Sequence, residues 1–98
     1  MNKKQNFEAL KQKILPILKS HKVTKASIFG SYARGEQNKK SDVDILIEID
    51  NSVGLIEFIG LKLMLQKTLK KKVDLVEYET IRPELKENIM RDEISILA

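Results

Sequence analysis

Residues 42–49, Asp-Val-Asp-Ile-Leu-Ile-Glu-Ile, alternate strictly between two faces. Val43, Ile45, Ile47 and Ile49 fall on one side of an extended chain, and Asp42, Asp44, Leu46 and Glu48 on the other. That period of two is the signature of a half-buried strand. Two further strands are expected, one over Val23–Phe29 closed by Gly30 and one over Val73–Tyr78. Helical spacing of Phe7, Leu10, Ile14 and Ile17/Leu18 predicts an amphipathic helix over 6–20, which Pro16 should kink or end early. From Leu55 to Leu69 the apolar residues Leu55, Ile56, Phe58, Ile59, Leu63, Leu65 and Leu69 cover about half of a second helix. Leu61 and Met64 fall outside that face, as ordinary exposed apolar residues or as part of a partner surface. Lys70–Lys72 closes this helix with positive charge at the negative end of its dipole. Gly35–Ser41 reads as polar loop, and Pro83 opens a last helix through Leu85, Ile89 and Met90. The expectation is an α/β (α+β) fold: one domain over residues 1–98, with a small mixed three-stranded sheet and helices packed on it.

Composition narrows the chemistry. The 98 residues are 42% hydrophobic and 33% charged, the balance of a soluble globular domain. With no cysteine, thiolate metal sites, disulfides and thiol nucleophiles are excluded, and His21 is the single histidine. Any catalysis must therefore rest on carboxylates, hydroxyls, Lys and Arg. Neither a signal peptide nor an apolar run of the ~20 residues a membrane span requires is present, so a cytoplasmic address with no membrane association is expected. Residues 1–40 hold ten Lys/Arg against Glu8 and Glu36, a net +8, whereas residues 41–98 carry −4. The basic half suits a polyanion or an acidic partner, although for charge alone the plainer reading is a solvated lysine face.

Gly30-Ser31-Tyr32-Ala33-Arg34-Gly35-Glu36 leaves the first strand and starts a short helix. Glycine allows close backbone approach, and a serine hydroxyl beside free N–H groups suits phosphate; the plainer reading is a helix cap. The Gly30-x4-Gly35 spacing mimics a P-loop, but Glu36 and Gln37 stand where that motif needs Lys and Ser/Thr. Asp42 and Asp44 project from one strand face, and two bare charges at about 4 Å repel by ~4 kcal/mol at an effective dielectric near 20. Such a pair wants a metal, a proton or a basic neighbour, and oxygen-only ligands favour Mg²⁺ or Mn²⁺ over zinc. The alternative is a solvent-facing edge strand. Asp74 lies in an apolar run where acids are depleted, and joins the other two if its strand is their neighbour. Three carboxylates opposite a phosphate-binding Gly-Ser are what two-metal phosphoryl or nucleotidyl transfer needs. His21 reads as a surface residue ending the first helix, and Tyr32 and Tyr78 as packing aromatics or neighbours of a nucleotide base. No aromatic residues interleave with the lysines, which disfavours direct nucleic-acid binding.

Gly30-Ser31, ten residues, then Asp42-Val43-Asp44 resembles the nucleotidyltransferase signature of the DNA polymerase β superfamily. The fuller string GSYARGE…SDVDILIE…KKVDLVE is similar to the minimal nucleotidyltransferase (MNT) antitoxin family over nearly the whole chain, with no departure at the motif positions. The resemblance implies a polymerase β-like core in which Gly30 and Ser31 hold the triphosphate of ATP and Arg34 contacts phosphate or braces the loop. It implies Asp42 and Asp44 as ligands of two Mg²⁺ ions, with Asp74 completing one site and helping to activate the acceptor hydroxyl. It further implies an antitoxin that silences a HEPN-domain ribonuclease toxin by transferring AMP to a tyrosine hydroxyl. A catalytic core this small leaves no domain for an acceptor, so a partner chain or a second copy must present the hydroxyl. Competing readings are an antitoxin that only occludes its toxin, transfer to a small molecule such as an aminoglycoside, and a nucleic-acid binder resting on charge.

Overall fold

The computed structural model describes residues 3–34 and 42–97; the expected loop over Gly35–Ser41 and the side chains of Phe7 and Met90 lie outside the described residues. Helix α1 spans Lys3–Ser20, and strand β1 spans Val23–Phe29. A short helix α2, Ser31–Arg34, precedes strand β2, Val43–Ile49. Helix α3, Leu55–Leu69, leads to strand β3, Val73–Glu77, and a 3-10 turn over Tyr78–Thr80. Helix α4, Pro83–Asp92, is followed by strand β4, Ile94–Leu97.

The strands lie in the order β3-β2-β1-β4. Strands β1 and β2 are antiparallel, β2 and β3 parallel, and β1 and β4 antiparallel, which makes the sheet mixed as expected. It has four strands and not three. The missed strand, Ile-Ser-Ile-Leu, is too short to announce itself by alternation. It forms because the outer edge of β1 offers unpaired backbone groups and Ile96 is buried on pairing there. The third strand also stops one residue early, with Tyr78 opening the 3-10 turn.

Helices α1 and α3 pack against each other and on one face of the sheet. Leu10, Ile14 and Leu18 of α1 meet Leu61 and Leu65 of α3 over Ala26, Ile28, Val43, Ile45, Ile47, Val73 and Leu75 in one core. The helix α1 does not end early at Pro16 but runs on to Ser20. Pro16 and Gln12, whose carbonyl loses the N–H partner that proline lacks, are both exposed, which leaves that carbonyl open to solvent. The other sheet face is covered by α4 and the 3-10 turn. Leu46, on that face, is fully buried, so β2 is covered on both sides at its middle and is half-buried only at its ends.

The largest correction concerns α3. Leu61, expected outside the apolar face, is fully buried with Leu65, whereas Leu55, Ile56, Ile59 and Leu63 are exposed. The helix is apolar nearly all round, so periodicity could not say which arc faces the sheet.

Candidate functional site

One end of the sheet gathers the residues that the sequence singled out. Strand β1 leaves the sheet there through Phe29 and Gly30 into α2, while β2 and β3 both enter it there, at Val43 and Val73. Phe29 pairs with Asp44, and Asp44 pairs in register with Asp74 on the parallel neighbour. In-register neighbours on adjacent strands share a face, with backbones about 5 Å apart, so both side chains leave the sheet on the same side. The N–H of Val43 donates to the carbonyl of Lys72 at 3.0 Å, which brings Asp42 to the same margin. Asp42 lies two residues before Asp44 and therefore on its face; Asp42 and Asp74 are exposed, and Asp44 is half-buried.

Gly30 joins the two halves of the motif physically. Its φ is +73°, in the left-handed region that glycine adopts freely. A Cβ there would overlap Oδ2 of Asp44 and sit 3.1 Å from its Cγ. The glycine backbone thus lies directly against the carboxylate, across thirteen intervening residues of sequence. Ser31 and Arg34 open and close α2; their side chains lie outside the described residues.

Like charges on one face of neighbouring strands repel, and a divalent cation between them would offset that repulsion. Among the described residues, no three His, Cys, Asp or Glu side chains close into a ready-made metal cage. The donor set nevertheless fits magnesium, which is commonly held by one or two carboxylates together with substrate phosphates. The lysine run 70–72, whose sequence signal was only a helix terminus, stands at the entry to β3 and so at the same margin.

The rest of this sheet face carries a group the sequence did not suggest. Ser27 is fully buried, and its hydroxyl lies 2.7 Å from that of Tyr78. The Tyr78 hydroxyl donates to a carboxylate oxygen of Glu93 at 2.9 Å, and the Lys25 ammonium stands 4.8 Å from the ring centre. Burial raises the Tyr78 pKa above the ordinary phenol value; the hydrogen bond from Ser27 opposes this, and Glu93 adds to it. This group ties the segment between α4 and β4 to the sheet, a packing role for Tyr78. The one available signal was a serine inside the apolar run Ala26-Ser27-Ile28. Tyr32 is likewise buried in the core. His21 lies just beyond α1, with Nδ1 2.8 Å from the carbonyl of Ile17, where a helix-ending residue was expected. An apolar cleft of about 440 Å³, lined by Ile49, Val53, Leu55, Phe58 and Leu75 among others, opens near the far ends of β2 and β3.

The sequence profile described as polymerase beta, nucleotidyltransferase, matches residues 12–98. The chain belongs to this nucleotidyltransferase family. A relative from Methanocaldococcus jannaschii, provisionally named a protein adenylyltransferase, is 45% identical over 92 residues, covering 94% of this chain and 99% of the relative. The protein adenylyltransferase MntA of Thermococcus cleftensis is 32% identical over 87% of this chain and 94% of its own length. A solved toxin–antitoxin structure with AMP-PNP matches with a TM-score of 0.79 at 26% identity, over 90% of this chain and 73% of that one. Among the described residues, no helix is long and apolar enough to cross a membrane.

Proposed function

We propose that this nucleotidyltransferase is the antitoxin of a HEPN/MNT-type pair and transfers AMP from ATP to a hydroxyl, a tyrosine, of its partner toxin. The observation that carries the reading is the contact of Gly30 with Asp44 beside the in-register pair Asp44–Asp74. It is supported by the adenylyltransferase names of the relatives and by a toxin–antitoxin likeness that includes an ATP analogue.

Each residue has a task. Gly30, lacking a side chain, lets the triphosphate approach the start of α2, where Ser31 supplies a hydroxyl beside free N–H groups. Arg34, one turn on, contacts phosphate or braces the loop. Asp42 and Asp44 hold the divalent ions that accompany ATP, and Asp74 completes one of their sites. Bound magnesium would neutralise the phosphates and the carboxylates together and stabilise charge developing in the displacement. Asp74 lies beside the acceptor hydroxyl and helps to draw off its proton. The acceptor oxygen then forms a bond to the α-phosphorus as the bond to the bridging oxygen breaks and pyrophosphate departs.

The test mixes the protein with Mg²⁺, ATP and the HEPN-domain protein encoded beside it, read by intact mass. A toxin gain of one or more AMP units, lost with Asp42→Asn plus Asp44→Asn while the complex persists, is expected. A stable complex with no gain would replace catalysis by occlusion. AMP appearing on a small molecule without a protein partner would overturn the protein acceptor.

A further inference from the structure

Helix α3 presents an apolar outer face that its own chain does not cover. Leu55, Ile56, Ile59, Leu63 and Met64 are 45–86% exposed, and they lie on the arc opposite the buried Leu61 and Leu65. At helical spacing they form one continuous stripe on the scale of a few hundred Å², the size at which an exposed patch marks an interaction surface. A second observation sits in the middle of that stripe. Gly60 occupies the interior of α3, where glycine weakens a helix relative to alanine. Among the described residues, nothing lies within 4 Å of where its Cβ would be. No packing among the described residues requires the glycine, so its lack of a side chain points to a contact outside the chain. Ile56, Ile59, Gly60 and Leu63 stand at i, i+3, i+4 and i+7, the four positions that bound a hole for a knob from a facing helix. With glycine as one corner, that hole is deep.

We propose that this stripe is the contact between two copies of the chain, packed with their α3 helices antiparallel. The choice of occupant follows from charge. The turn before α3 and its first half carry Asp50 and Glu57, while the second half and the residues after it carry Lys62, Lys67 and Lys70–Lys72. An antiparallel copy lays the acidic half of each helix along the basic half of the other and pairs their dipoles favourably; a parallel copy would juxtapose like charges. The antiparallel register that seats Leu63 of each copy over Gly60 of the other also brings Ile59 beside the other copy's Met64. A standard interface covers ~800 Å² per partner, so the stripe forms the apolar centre of the contact and the charged flanks its rim. Helix α3 packs on the sheet face opposite to Asp44 and Asp74, so pairing through its outer side leaves both carboxylate sites open.

The test is the mass of the full chain in solution, measured by sedimentation equilibrium at micromolar concentrations. The wild type is expected to be a dimer. Gly60→Leu fills the hole without touching anything in its own chain, and it should raise the dimer Kd at least tenfold while leaving the circular dichroism spectrum of a folded monomer. Leu63→Glu should do the same from the knob side. Lys62→Glu with Lys67→Glu, which makes both halves of α3 acidic, should weaken the dimer and do so more at low salt. A wild type that stays monomeric at 100 µM would overturn the proposal. So would a dimer indifferent to Gly60→Leu and Leu63→Glu, or a stripe protected from hydrogen exchange only when the toxin is bound.

Discussion

Alanine at Gly30 carries two separable penalties. The backbone there has φ +73°, which costs an L residue about 1–2 kcal/mol. The added methyl also lands on the Asp44 carboxylate, with Cγ at 3.1 Å, and overfilling a packed position typically costs ~1–3 kcal/mol more. Gly30→Ala should therefore lose about 2–5 kcal/mol in all, a fall in Tm of roughly 10 °C or more for a domain of this size. The two parts are told apart by removing the carboxylate. In Asp44→Ala the remaining Cβ of residue 44 stands 3.5 Å from the new methyl, an ordinary contact. In that background Gly30→Ala should cost only the backbone share. Urea denaturation of the wild type, both single variants and the double variant closes the cycle, with an expected coupling of ~1–3 kcal/mol. Additivity within about 0.5 kcal/mol would refute the contact. In Gly30→Ala alone the carboxylate must swing aside, and a displacement of about 1 Å at a reacting centre costs on the order of a hundredfold in rate. AMP transfer at the wild-type rate by a folded Gly30→Ala protein would show that Asp44 does not act from the position described.

Three further outcomes follow from the packing. Tyr78→Phe strips the buried Ser27 hydroxyl of its partner and should cost ~1–3 kcal/mol in urea denaturation, with the m-value unchanged. The folded-state pKa of Tyr78 lies above its unfolded value of 10.0, so the neutral phenol's contribution is whole below about pH 10 and is lost as pH rises through the folded value. A plot of stability against alkaline pH should therefore fall less steeply in Tyr78→Phe than in the wild type. Leu65→Ala, at a fully buried position, should cost about 2–5 kcal/mol, while Leu63→Ala, measured at dilutions where the chain is monomeric, should stay within ~0.5 kcal/mol. A Leu63→Ala cost as large as that of Leu65→Ala would restore the sequence-based apolar face, which held both residues.

Periodicity served where one side of an element differs from the other. Strand β2 could be placed because Asp and Glu alternate with Val and Ile, and a slip of one residue would have put four branched apolar side chains into water. Helix α1 could be placed because Leu10, Ile14 and Leu18 repeat against a polar background. The same reasoning failed on α3, where two arcs of leucine and isoleucine compete and only contact with α1 and β3 decides between them. It failed on β4 because four residues hold too little pattern, and their pairing with β1 is non-local. Ser27, Tyr78 and Glu93 span 67 residues of chain, and nothing local to any of them signals the other two.

The candidate site was more legible than the fold around it, for a physical reason. Acids are depleted from strands, where they sit among apolar neighbours and repel one another. Asp42, Asp44 and Asp74 therefore contradict their surroundings, and a contradiction is visible one residue at a time. What spacing could not supply was proximity. The register Asp44 to Asp74 depends on β2 and β3 being parallel neighbours, which requires the crossover through α3. The left-handed turn at Gly30 then sets the end of β1 against the same carboxylate. Thus α3 acts twice: its inner arc, through Leu61 and Leu65, holds β3 beside β2 and fixes the carboxylate pair, while its outer arc is spare apolar surface. A mutation on the inner arc should lower stability and transfer together, and one on the outer arc should change association and leave transfer per folded chain intact. That split separates the two roles of one helix, and it could not be read from a sequence whose two arcs look alike.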